Sequence, residues 1–277
     1  MIRTAALASL SHSVNIERAA STVSRTHADP CNLRPALLAG DAAHVLKALG
    51  QISNRVGIGT LADEYAFSPP PGKRWYPGTQ YVHHSRVITN LHQYFPQTPE
   101  GADRGLLTLT AALHDIGKRT SMTALLMYAK RDPQKTYTLR LVDLIRPQLP
   151  LEAPAFNRMR ALISSNVHGP LFQDHISVSR AAAMTRKGAE AASMEPVKFL
   201  RLLTALNQSD VAAYTLPAGG PELLDHVFAR SPSGTFVRHQ TENRLRYNIS
   251  NEQKLAALHK AVETFGTRAK RKPSRAG

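Results

Sequence analysis

From residue 34 onward, apolar positions recur every three or four residues. In Arg34–Val56, Leu37, Leu38, Ala42, Val45, Leu46 and Leu49 keep that spacing, so a helix with one buried face is expected there. The same pattern predicts helices over Tyr81–Phe95, Leu106–Ile116, Ser121–Arg131, Tyr137–Leu149 and Ala155–Val167. It also predicts Phe172–Lys187, Pro196–Tyr214, Pro221–Ala229 and Glu242–Phe265. Pro96 follows one of these segments and Gly117 another, in the positions of helix stops. Residues 66–80 read as a loop, because the run Pro69-Pro70-Pro71 cannot sit inside a helix. Strand-like alternation is nearly absent, with Thr235–His239 the one weak candidate, and no internal repeat is visible. The expected fold is all-α. A helical domain is expected over residues 34–266, after a disordered or targeting segment 1–33 and before a basic tail 267–277.

Composition narrows the class. The chain has 277 residues, 42% of them hydrophobic and 20% charged, which suffices for a full globular core. A single cysteine, Cys31, excludes an internal disulfide and a cysteine-based zinc site. No apolar run approaches the roughly 18–20 residues of a membrane span, so no integral membrane association is expected.

Charge adds more. Lys and Arg number 35 against 20 Asp and Glu, a net +15. Arg268, Lys270, Arg271, Lys272 and Arg275 account for a third of the excess, and the rest is spread through the fold. Such a field attracts phosphates, nucleotides, RNA or acidic surfaces without choosing among them. Nucleic acid is therefore a candidate partner of the basic surface and tail. Residues 1–30 are rich in Ser, Thr and Ala and lack a long apolar stretch, so a secretory signal peptide is not expected. They fit a disordered terminus, a Ser-rich bacterial export signal or an organelle transit peptide. The expected location is cytoplasmic unless one of those signals operates.

The sharpest chemical signal is Leu113-His114-Asp115-Ile116-Gly117-Lys118. A His and an Asp side by side at the end of an apolar helix are costly to bury unless something pairs them, and a divalent metal would do so. Gly117 would leave room for a ligand at the backbone, and Lys118 would meet an anionic substrate. Further ligands must come from other helices. From His84, the positions three, four and seven residues on are Val87, Ile88 and Leu91; from His83 they lead to Arg86 and Asn90. His84 is thus expected on the buried stripe and His83 on the flank. Asp210 lies seven residues after Leu203 and four after Leu206, again on an inward face. His84, His114, Asp115 and Asp210 make an N2O2 set from three helices.

That order, His…His-Asp…Asp with the pair in the form His-Asp-Ile-Gly-Lys, resembles the HD-domain superfamily of metal-dependent phosphohydrolases. The resemblance spans roughly residues 78–215. It implies an all-α fold, a bound divalent metal (manganese, iron, zinc, cobalt, nickel or magnesium) and hydrolysis of a phosphoester or phosphoanhydride, often of a nucleotide. Two-metal subgroups use additional histidines, for which His168 and His175 are the candidates in order. His168 is alternatively a general acid or a substrate contact. In the expected mechanism a metal-activated water attacks phosphorus, Asp115 orients it, and Lys118 and Arg119 stabilise the developing charge. Arg86 is a further candidate for a second phosphate. The loop Pro69–Tyr76 offers Lys73 and Arg74 beside Trp75 and Tyr76, suited to a base and a phosphate. The alternative expectation is a catalytically inactive HD-like module that binds nucleotide or RNA, exported as a bacterial effector or not.

Overall fold

A computed structural model describes residues 33–55, 61–68, 79–95, 102–122, 134–214, 226–240, 242 and 244–269. The N-terminal segment, the proline loop, most of Ser121–Arg131, the start of Pro221–Ala229 and the last eight residues lie outside the described residues. The fold is all-α. Helices α1 (Leu33–Ala39), α2 (Ala42–Arg55) and α3 (Leu61–Ala66) precede α4 (Gln80–Tyr94) and α5 (Ala102–Leu113). Then come α6 (Gln134–Ile145), α7 (Ala153–Ser164), α8 (His168–Phe172), α9 (Val178–Ala191), α10 (Pro196–Val211) and α11 (Ile249–Ala269).

Local chemistry sets several of these boundaries. The first expected helix is broken in two at Gly40-Asp41. Gly40 takes φ +72°, and a Cβ there would meet the His92 ring at 2.3 Å. Asp41 then accepts the amide of His44 and starts α2. Thr79 caps α4 by accepting from the amide of Val82, and Glu195 caps α10 by accepting from Val197 and Lys198. The helix expected to start at Phe172 starts only at Val178, since Phe172 ends α8 and residues 173–177 form a turn. Asp174 turns the chain with φ 58°, and Ser177 caps α9 anew. Against the expected helix from Glu242, residues 242 and 244–248 are not helical, and α11 begins only at Ile249. Phe228, Arg230 and Arg238 instead make isolated antiparallel bridges to Tyr247, Phe236 and Leu245. Among the described residues this is the extent of β structure.

The core lies between α4, α5, α7, α9 and α10. Val87, Ile88 and Leu91 of α4 meet Leu107, Leu109 and Leu113 of α5 and Leu202 and Leu203 of α10, all buried. A second cluster forms beneath the bridged segment, where the rings of Phe228 and Tyr247 stack 5.5 Å apart beside Leu245 and Leu255. No helix among the described residues is long and apolar enough to cross a membrane.

Gly117 has a different reason from the one the sequence suggested. A Cβ there would lie 2.3 Å from the amide nitrogen of Thr138, so what approaches the backbone is α6 and not a ligand. The Gly117 amide donates to the Thr138 hydroxyl at 3.1 Å, locking the turn after α5 onto that helix. Gly117→Ala must push two backbones apart. It should lower stability by about 1–3 kcal/mol, read as a fall in the urea midpoint with unchanged slope.

A candidate metal centre at the end of α5

Helix α5 ends at Leu113, which leaves its last carbonyls without helical partners. Side chains take them. The Nδ1 atoms of His84 and His114 both lie against the Ala111 carbonyl, at 2.9 and 2.8 Å. The Tyr65 hydroxyl donates to the Ala112 carbonyl at 2.8 Å. Since a carbonyl only accepts, both imidazoles carry a hydrogen on Nδ1. Their Nε2 atoms then turn toward each other's neighbourhood, with ring centroids 4.9 Å apart. A backbone carbonyl fixing one ring nitrogen so that the other can ligate is the usual support of a metal-binding histidine.

The remaining groups come from α4, α10 and the turn 114–117. Asp210 Oδ1 lies 3.1 Å from His83 Nε2 and 3.4 Å from His114 Nε2. Asp115 Oδ2 is 4.0 Å from His114 Nε2 and 3.0 Å from Lys118 Nζ. Asp115 Oδ1 accepts from Gln134 Nε2 at the start of α6. One ligand atom from each of His83, His114 and Asp115 falls within a 4.8 Å sphere of separation. His84 Nε2 is buried and has no hydrogen-bond partner among the described residues.

Charge is balanced inside this cluster. Burial alone would lower the His114 pKa, but the Asp115 and Asp210 carboxylates outweigh it and raise it to about 9. Burial would raise both acids; Lys118 and His114 hold Asp115 well below the usual carboxylate range, and His114 and His83 do the same for Asp210. Burial and the neighbouring His114 and His83 push His84 far down, so it stays neutral with a lone pair on Nε2.

His114, Asp115 and Asp210 of the cluster line a cavity of about 590 Å³. Its walls also carry Gln134 and Lys135 of α6, the polar Asn166, His168 and Asn207, and the apolar Leu162, Leu203 and Leu206. Lys135 reaches the Ser164 carbonyl with its ammonium, and partial burial lowers its pKa.

The sequence-derived candidates divide accordingly. His84, His114, Asp115 and Asp210 come together from three elements, with Lys118 on Asp115. The expectation that His83 lies on the flank is overturned: it is 1% exposed and touches Asp210. Its ring also stacks on Tyr214 at 5.5 Å. His168 lines the cavity, but its Nε2 is bonded to the Thr204 hydroxyl at 3.0 Å. Burial, with His259 and Arg244 nearby, lowers its pKa to about 3. A neutral histidine of that kind does not serve as the expected general acid. His175 is not on a helix beside the site; it sits exposed in the turn 173–177, its amide on the Pro170 carbonyl, and does not line the cavity. That removes it from a second metal site here. Arg119 pairs with Asp63 at 3.3 Å, and Arg86 is half-exposed on α4; neither lines the cavity. Residues the sequence did not single out are His83, Gln134, Lys135, Asn207 and Tyr65.

Compared with protein-family models, curated proteins and solved structures, the chain matches none.

Behind the cluster, α3 braces the turn that carries Lys118. Glu64 is buried and accepts from the amides of Arg119 and Thr120 at 2.9 and 3.0 Å and from the Thr120 hydroxyl. Burial nonetheless raises its pKa from 4.5 to about 7, against those hydrogen bonds. Because the folded-state value is the higher one, this group's stabilisation is complete below about pH 4.5 and is lost as pH rises through about 7. The stability of the wild type relative to Glu64→Gln should therefore fall over that range by an amount of order 3 kcal/mol. Urea unfolding at pH 4, 5.5 and 7.5 checks this, and a difference independent of pH would contradict it.

Proposed function

We propose that this chain is a metal-dependent phosphohydrolase of the HD type, acting on a phosphoester or phosphoanhydride, with a nucleotide as the substrate class. The observation that carries the proposal is the meeting of three imidazoles and two carboxylates in one cluster, of which His114, Asp115 and Asp210 line a cavity. The donor set fits a divalent ion. His114, Asp115 and Asp210 would hold it together with His84, whose Nε2 is buried without a hydrogen-bond partner, or with His83 beside it. When bound, such an ion acidifies a water and polarises a phosphoryl oxygen.

The chain's own residues supply the rest. Lys118 and Gln134 each take one oxygen of Asp115, so that carboxylate cannot rotate away from the cluster. Lys135 brings a positive charge to the side of the cavity, at the first turn of α6, where the helix dipole also favours an anion. The apolar wall of Leu162, Leu203 and Leu206 suits the flat face of a base. His168, neutral at physiological pH and bonded to Thr204, adds polar surface to the same cavity.

The decisive experiment combines metal content by mass spectrometry with phosphate release from a panel of nucleotides. We expect about one ion per wild-type chain after soaking with manganese, with both ion and turnover lost in a His114→Ala, Asp115→Ala double variant. His83→Ala and His84→Ala, measured alongside, tell which imidazole ligates. A wild type that takes up no metal and releases no phosphate sinks the proposal. A double variant that still binds nucleotide as tightly as the wild type, with neither form hydrolysing it, would instead indicate a binding module.

A further inference from the structure

We propose that Asn207 is a substrate-contacting residue whose side-chain amide donates to a phosphoryl oxygen, and that Tyr247 is the positioning residue that fixes its direction. This rests on the phosphohydrolase reading above and deepens it. Asn207 lies on the face of α10 that lines the cavity, one helical turn before Asp210. A donor there faces the same cavity as Asp210.

An asparagine can present either its oxygen or its NH2 group, and the Tyr247 hydroxyl decides which. Gln208 holds the segment that carries Tyr247: its Oε1 accepts the Leu245 amide at 3.0 Å, and its Nε2 donates to the Leu245 carbonyl at 2.7 Å. The ring is fully buried, and burial pushes the phenol up, so it keeps its proton. That proton goes to Asn207 Oδ1, 3.0 Å away. With the oxygen end engaged, the NH2 end of Asn207 is what remains for the cavity. Tyr247 is itself anchored, its amide donating to Glu252 Oε1 at 2.7 Å while Arg244 holds the same carboxylate.

The test uses the full-length chain loaded with manganese and titrates inorganic phosphate by calorimetry, with metal content measured on every sample. Asn207→Asp keeps the shape and the contact with Tyr247 but replaces the donor with an anion, and it should weaken phosphate binding more than tenfold. Asn207→Ala should weaken it about tenfold, as expected for a lost hydrogen bond to a charged group. Metal content should be unchanged in both. Tyr247→Phe should weaken binding a few-fold in the wild-type background and add nothing in Asn207→Ala, because its effect runs through that amide. An additive effect would mean that Tyr247 acts only on packing and overturns the positioning role. Phosphate binding by Asn207→Asp equal to the wild type overturns the Asn207 assignment alone. A wild type that binds neither manganese nor phosphate overturns the phosphohydrolase reading together with it.

Discussion

One carbonyl organises the candidate site. Ala111 O, left over where α5 stops, holds the Nδ1 atoms of both His84 and His114. A helix end is where this can happen, because inside a helix the same oxygen would be committed to the amide four residues on. The partial negative charge of a helix C-terminus also suits whatever cation sits there, whether an imidazolium or a metal. In the chain as described, the proton on His114 and the ammonium of Lys118 balance Asp115 and Asp210. The rest of the fold can be read as the means of keeping that helix end sharp. Gly117 lets α6 press against the turn, Tyr65 takes the next carbonyl, and Glu64 holds the amides that follow Lys118.

The all-α class and most helices were legible because a period of three to four survives single substitutions. The breaks were harder. Gly40-Asp41 is a helix stop followed by a cap, yet apolar residues continue in phase across it, so the pattern alone runs the two helices together. Asp174 gave less warning still, since an aspartate in the left-handed region looks like any other in sequence. The bridged segment 226–248 is too irregular for strand alternation, and its pairing is long-range, so only Thr235–His239 left a trace.

Two of the site residues, His84 and Asp210, followed from stripe geometry, and the failure over His83 shows where that geometry stops. A stripe assumes that a helix buries one face. Helix α4 is covered by α5 on one side and α10 on another, and Asn90, one of the residues that seemed to mark the flank, donates to the Ser209 carbonyl of α10. The flank is therefore interior too, and His83 reaches Asp210 from it. Gln134 and Lys135 carry no local signal at all. They matter because α6 is packed against the turn at Gly117, a contact that the sequence records only as one glycine and one threonine 21 residues apart.

Among the described residues after 225 none joins the candidate metal ligands, yet the site depends on that segment. Gln208 sits on α10 between Asn207 and Asp210 and bonds both polar groups of Leu245 as a neighbouring strand would. This adds to the holds on the ligand-bearing end of α10, which Asn90 also secures through the Ser209 carbonyl. Glu252 joins the Tyr247 amide to Arg244, so the start of α11 is tied to the same support. Each bond is of ordinary strength, about 1 kcal/mol net. Their value lies in direction. Gln208 holds the backbone of Leu245, and two residues on the Tyr247 hydroxyl donates to the oxygen of Asn207, which lines the cavity. The segment after residue 225 thus sets the direction of a hydrogen bond to a group one turn from Asp210.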